Sequence, residues 1–235
     1  MSAAAAVRTR ATRGFKVTPG EAVRIQERLR TEIEESSPIV LARLRLVAGT
    51  DVSYLKGDER MFAAVAVFSY PDMELVESRW GSAPVTFPYV PGLLAFREAP
   101  ALLAVLRRLA SEPGVLLVDG HGVAHPRDMG LASHMGVVLG LPSVGVAKSV
   151  LVGEYDGPGQ ARGSTSPLVH EGRTVGMALR TRQGVKPVFV SVGHLADLDS
   201  AARLALSCCG RFRIPEPIRE AHRLANLARR RRSAA

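Results

Sequence analysis

Apolar positions in this 235-residue chain change period repeatedly, and each change marks an element. From Gly20 to Ser37, Ala22, Ile25, Leu29 and Ile33 share one face, which predicts an amphipathic helix ended by Pro38. Three strand-like runs follow: Leu44 to Leu55, Met61 to Tyr70, and Met73 to Trp80. Gly57-Asp58-Glu59 and Pro71-Asp72 between them are turn chemistry, so the three runs read as an antiparallel meander. From Gly92 to Ser111 the period is helical again, with Leu94, Leu102, Val105 and Leu109 on one stripe. The run Val115 to Val118, bounded by Gly114 and Gly120, is too short for most helices and reads as a buried parallel strand. A short helix over Asp128 to Gly140 and a buried strand over Pro142 to Lys148 come next. After the Gly-, Pro- and Ser-rich stretch Gly153 to Pro167, strand signals recur at Thr174 to Thr181 and Val188 to Val192. Two helices finish the chain, one over Asp199 to Cys209 and one beginning after Ile214-Pro215-Glu216-Pro217 and carrying His222.

Three carboxylates break this pattern where a lone charge would be costly. Asp51 interrupts the first strand, and Asp119 closes the Val115 run at its carboxyl end, where ligands of open α/β sheets bind. Glu98 lies on the apolar stripe of its helix, one turn after Leu94 and one before Leu102, so it needs a cation or hydrogen-bond partners. Each acid alone is also compatible with a satisfied buried carboxylate or a cap. Together the three point to a metal-dependent nuclease. The order of three meander strands, helix, strand, helix, strand predicts an α/β fold, an RNase H-like mixed sheet flanked by helices. On that fold the three acids would converge at one end of the sheet.

Composition bounds this reading. The length suits a single domain over 20–228, with a flexible basic extension at 1–19 and a basic tail at 229–235. The formal charge of +9 and pI near 10.3 suit a polyanionic partner. Arg8, Arg10, Arg13 and Lys16 at one end and Arg229 to Arg232 at the other account for eight of those nine charges, so charge alone supports nucleic-acid binding only weakly. The two cysteines, Cys208 and Cys209, are adjacent; ordinary disulfide geometry and a CxxC metal site are both excluded, which fits a reducing cytosol. No apolar run approaches the roughly twenty residues needed to span a bilayer, and a cytoplasmic monomer is expected.

Several other residues carry two readings each. Lys148 follows the strand Val144 to Ala147, so its ammonium either reaches the sheet end beside Asp119 or snorkels at the surface. Pro88-Tyr89-Val90-Pro91 reads as a stiff loop, presenting Tyr89 outward or packing it on the core. His125 either contacts a substrate or caps the next helix. His222, flanked by Ile218 and Ala225 at helical spacing, is a functional or a core histidine.

The segments GTDVSY, FPYVPGLLAFRE, VDGHGVAHPRDMGLASHMG, PSVGVAKS, SVGH and RIPEPIREAHRLA, in this order and at these distances, closely resemble the endonuclease V family. The resemblance spans roughly Gly20 to Leu227. It implies a repair nuclease for deaminated bases, chiefly deoxyinosine, that cuts the second phosphodiester 3′ of the lesion and leaves 3′-hydroxyl and 5′-phosphate ends. It further implies that Asp51 and Asp119 bind the catalytic ion, that Glu98 completes the acidic set, and that Lys148 and His222 support charge and proton movement. Hard oxygen ligands suit Mg²⁺, with Mn²⁺ as a substitute. The PYVP motif, Pro88 to Pro91, is implied as a wedge with Tyr89 at the lesion. Backbone groups near Gly92, Leu94 and Gly120 are the implied lining of a pocket for the extruded base, and His125 is implied to contact the substrate. His121 and Val192 depart from the family pattern, where an amide side chain and a proline are more usual. The expected partner is DNA containing deaminated bases, followed by unidentified downstream repair proteins. Three other readings stand beside it: cleavage of inosine-containing RNA, cleavage of branched or flapped DNA, and a non-catalytic nucleic-acid binding protein.

Overall fold

The computed structural model describes residues 15, 17–55, 57 and 59–233. Its strands are β1 (Leu46–Ser53), β2 (Arg60–Ser69), β3 (Leu75–Pro84), β4 (Val115–Asp119), β5 (Ser143–Ala147), β6 (Thr165–His170), β7 (Arg173–Leu179) and β8 (Val188–His194). They form one sheet in the order β3-β2-β1-β4-β5-β8-β7-β6. Neighbours β1, β4 and β5 run parallel, and every other adjacent pair is antiparallel. Among the described residues five α-helices flank the sheet: α1 (Pro19–Arg30), α2 (Leu94–Leu106), α3 (Leu131–Leu139), α4 (Leu198–Ser207) and α5 (Glu216–Ser233). This is the RNase H-like mixed sheet predicted from the order of elements. No helix among the described residues is long and apolar enough to cross a membrane.

Both faces of the sheet centre are covered. On β1, Ala48 joins Val65, Val67 and Leu116 in the layer with α2 and α3, while Val47 joins Val115, Leu117 and Val144 in the layer with α4 and Ile218 of α5. On β2, Ala64, Ala66 and Phe68 receive Ala221 and Ala225 of α5. That double cover explains why β2 is apolar throughout its interior rather than alternating. Each fully buried Leu or Phe contributes about 1.5–3 kcal/mol, so the interior face of α2, with Phe96, Leu102 and Leu103, anchors that helix firmly.

Several elements differ from the sequence expectation. Helix α1 starts with a capping box, Thr18 with Glu21, and stops at Arg30 rather than running to Ser37. Glu32, Glu34 and Glu35 would load acid onto the negative end of a longer helix, and Ile33 instead packs into the core under α4. Helix α2 ends at Leu106 because the amides of Ala110 and Ser111 donate to the Glu77 carboxylate on β3 instead of continuing the ladder. Asp128 does not start α3; it sits at φ 51, ion-paired with Arg30 and Arg173, and Gly130 is the cap.

The ends also need correction. Phe15 stacks on Phe96 and His134, so the folded unit includes residues assigned to the N-terminal extension; residues 1–14 and 16 lie outside the described residues. At the other end 229–233 is not a tail. Helix α5 continues to Ser233, because Ala228 prolongs the small buried face begun by Ala221 and Ala225, and Arg229 bonds to Ser53 of β1. Strand β6 was hidden in the Gly/Pro/Ser-rich stretch. It holds Pro167, which a strand tolerates at the sheet edge, where β6 lies.

Candidate active site

Asp51 and Asp119 meet because their strands are parallel neighbours in register. Thr50 pairs with Val118, so the next residue of each strand puts the two carboxylates side by side at the carboxyl ends of β1 and β4. The third parallel strand, β5, delivers Lys148 just beyond Ala147, and its ammonium is ion-paired with Asp119. The snorkelling reading of Lys148 therefore fails. From the opposite layer, α5 brings His222, whose Nδ1 lies 2.8 Å from Asp51 Oδ2. One ligand atom from each of Asp51, Asp119 and His222 lies within 4.8 Å of the others.

The helix reaches β1 this closely because of Gly49. A Cβ there would stand 2.0 Å from the Pro217 carbonyl carbon and 2.3 Å from the Ile218 nitrogen, both backbone atoms that cannot give way. Nothing in the sequence marks Gly49 as special, apart from its being a glycine inside a strand.

Glu98 is buried on α2, outside that 4.8 Å cluster but close enough to feel it. Burial, and then the Asp51 charge, push its carboxyl up to about 8, opposed by a hydrogen bond from the Tyr54 hydroxyl. Burial, and then the Asp119 charge, likewise raise Asp51 to about 6, opposed by His222 and Lys148. Three acids forced together, with one lysine among them, form a site short of positive charge. Asp51 and Asp119 offer oxygen donors and His222 a nitrogen, a set that can hold a divalent metal ion. Tyr54 and Arg97, whose guanidinium lies over the Tyr54 ring at 4.8 Å, are supporting residues the sequence reading did not pick out.

His222 is held on both sides. Arg229 Nε donates to Ser53 Oγ at 2.9 Å, and Ser53 Oγ donates to Asn226 Oδ1 at 2.8 Å. With its oxygen turned toward those donors, Asn226 directs its amide nitrogen at His222 Nε2, 2.9 Å away. Nε2 therefore accepts, and the ring proton sits on Nδ1, facing Asp51. The His222 side chain is also 53% exposed, which rules out the core-histidine reading. Asn226 was missed, although its spacing four residues after His222 on a helix could have suggested it.

Beside the cluster lies a cavity of about 180 Å³. Of the residues implied in base recognition, Tyr89, Val90, Pro91, Gly92, Leu94, Gly120 and His125 line it, and Pro88 does not. Gly120, the neighbour of Asp119, joins the cavity to the acids. Tyr89 is 68% exposed, so it is not a core anchor. His125 does not cap α3; its Nδ1 accepts the Arg127 amide at 3.1 Å and its ring also bonds the Gly92 backbone. Gln26, His121 and Leu151 also line the cavity and were not singled out as its lining. His121 Nδ1 is buried without a protein partner among the described residues. Val192 is buried in the same apolar cluster as Val123 of that loop, and its carbonyl accepts the Val123 amide at 2.8 Å.

Comparison with known proteins gives one consistent result. A family model described as Endonuclease V matches residues 25–223. The endonuclease V of Gloeobacter violaceus is 46% identical over 226 residues, covering 94% of this chain and 91% of that protein. The crystal structure of endonuclease V from Streptomyces avermitilis superposes with a TM-score of 0.90 at 44% identity, covering 94% of this chain and 96% of the other. That of Ciona intestinalis endonuclease V, in complex with a 24mer DNA containing an inosine followed by a ribo-adenosine, gives 0.80 at 30% identity, covering 90% and 98%.

Proposed function

This chain belongs to the endonuclease V family, and on that premise we propose that it nicks DNA at deoxyinosine, hydrolysing the second phosphodiester 3′ of the lesion to leave 3′-hydroxyl and 5′-phosphate ends. The observation that carries this reading is the junction at Gly120. A cavity bordered by an exposed tyrosine opens directly beside a paired-carboxylate cluster, so one strand can reach both.

Each residue then has a role. Asp51 and Asp119 would hold the divalent cation, Mg²⁺ with Mn²⁺ as a substitute, and Glu98, whose proton the cation's charge would help displace, would complete the acidic set. That cation, when bound, supplies charge neutralisation on the phosphate and lowers the pKa of the attacking water. Lys148, already seated against Asp119, places its ammonium where a phosphate oxygen would sit beside the acids. His222 presents a proton on Nδ1 toward the cluster. The Pro88 to Pro91 loop presents Tyr89 to fill the gap an extruded base leaves in the duplex, and backbone groups at Gly92, Leu94 and Gly120, with His125, line the receptacle for that base. Extrusion costs least for a damaged or mismatched base, which favours a deaminated one.

The ribo-adenosine in the Ciona complex makes inosine-containing RNA the second reading. End-labelled duplex DNA, single-stranded RNA and branched DNA, each with or without one inosine, separate the two. A dominant cut in inosine DNA at the second 3′ phosphodiester supports the first reading. Preferential cutting of inosine RNA would replace it with the second, and inosine-independent cutting of branched DNA would overturn both.

A further inference from the structure

The cavity beside the acids is braced by a residue from outside the catalytic sheet. Gln26, on α1, is completely buried. Its Nε2 donates to the Gly92 carbonyl and to the Met129 carbonyl, each at 3.0 Å. Its Oε1 accepts from Arg127 Nε at 2.7 Å. Both amide protons and the oxygen are therefore engaged, and the three partners fix which way round the amide sits. Arg127 closes the arrangement by donating from Nη2 to the same Gly92 carbonyl at 2.8 Å.

Those partners sit on two segments that wall the cavity, and the segments also meet directly where the His125 ring bonds the Gly92 backbone. Gly92 ends the Pro88–Pro91 loop that presents Tyr89, and it lies at φ 75, a conformation open to glycine but strained for other residues. Met129 closes the segment that leaves Asp119 and carries His125. The bonds from Gln26 span 66 and 103 positions of sequence, so one side chain ties α1 to both walls. Packing alone already holds α1, since Ala22 meets Phe87, Leu93 and Phe96, but an apolar residue at 26 would leave the Met129 carbonyl and Arg127 Nε without these partners. What an amide adds is direction, because two donors and one acceptor are satisfied only at one separation of the two loops.

We propose that Gln26, with Arg127, is a positioning pair that sets the distance between the Tyr89 loop and the Met129 segment of the cavity wall, and so governs how well the site separates hypoxanthine from undamaged bases. This rests on the reading of the cavity as the receptacle for the extruded base. Neither residue touches the reacting atoms, and the pair acts through the walls it holds.

Gln26→Glu is the sharpest test. It keeps the shape and the acceptor for Arg127 while removing both donors to the carbonyls. Arg127→Lys keeps the charge but removes the fork, and it decides the matter should the first variant not fold. Single-turnover nicking is measured against enzyme concentration on a duplex with one deoxyinosine and on the same duplex undamaged, beside thermal unfolding. The expected result is a half-saturating concentration for inosine DNA raised on the order of tenfold, a matching loss of discrimination, and a limiting rate within about threefold of wild type. Lowered thermal stability with unchanged discrimination would make the pair merely structural and overturn the proposal. Wild-type enzyme that cuts both duplexes alike would instead overturn the reading of the cavity, and the proposal with it.

Discussion

At Glu98, burial and the Asp51 charge hold the carboxyl at about 8, and the same crowding raises Asp51 to about 6. A carboxyl raised on folding keeps a proton that the unfolded chain has released. Its stabilising contribution is complete below the ordinary value of 4.5 and is lost as pH climbs through 8. Metal-free protein should therefore melt at falling temperatures between about pH 5 and 8, with Mg²⁺ or Mn²⁺ opposing the fall. Glu98→Gln should flatten the profile and raise metal-free stability at pH 8 by on the order of a few kcal/mol. An unchanged slope in that variant, followed by calorimetry, would mean that Glu98 is not under this strain. Asn226 makes a second prediction at this scale. Asn226→Leu removes the donor that fixes the His222 tautomer, and single-turnover cleavage should slow by about 10–100-fold, as when a ligand's orienting partner is lost. A wild-type rate would show that His222 needs no such support.

At the scale of elements, the site depends on how closely α5 lies on β1. Gly49→Ala puts a methyl group into the backbone of Pro217 and Ile218, so α5 must lift and His222 must leave Asp51. The expected cost is about 1–3 kcal/mol in chemical denaturation, with cleavage falling further than the loss of folded protein accounts for. Cleavage that merely tracks the folded fraction would mean the helix position is not critical. Period and turn chemistry made most elements legible. The meander, the Glu98 helix and the Asp119 strand all stand close to where patterning put them. What was illegible depended on contacts distant in sequence. Helix α1 ends early because Ile33 finds the core elsewhere, β6 is concealed by an edge proline, and α5 runs on because its alanine face continues across β2.

The whole molecule redistributes the charge. Arg229 to Arg231, which looked like part of a tail, extend the helix that bears His222. With Arg219 and Arg223, Arg230 borders an open groove of about 380 Å³ shared with His222. Glu216 and Glu220 ion-pair with Arg219 and Arg223 there, so it is Arg230 that adds net positive charge to this face, where a nucleic-acid backbone would be drawn in. The acids were legible singly, as charges in apolar places, but their meeting required the register of β1 with β4. The brace at Gln26 required three remote segments and could not be read from any one of them.

The central claim is that one acidic cluster, fed by the neighbouring cavity, cuts inosine-bearing DNA with a divalent cation. The direct measurement is single-turnover nicking of an end-labelled duplex carrying one deoxyinosine, with Mg²⁺, with EDTA, and with folded Asp51→Ala enzyme. The account predicts one cut 3′ of the lesion that needs the metal, is absent from undamaged duplex, and drops at least about 10³-fold in the variant. Normal cleavage by Asp51→Ala, or cleavage that survives EDTA, would contradict it.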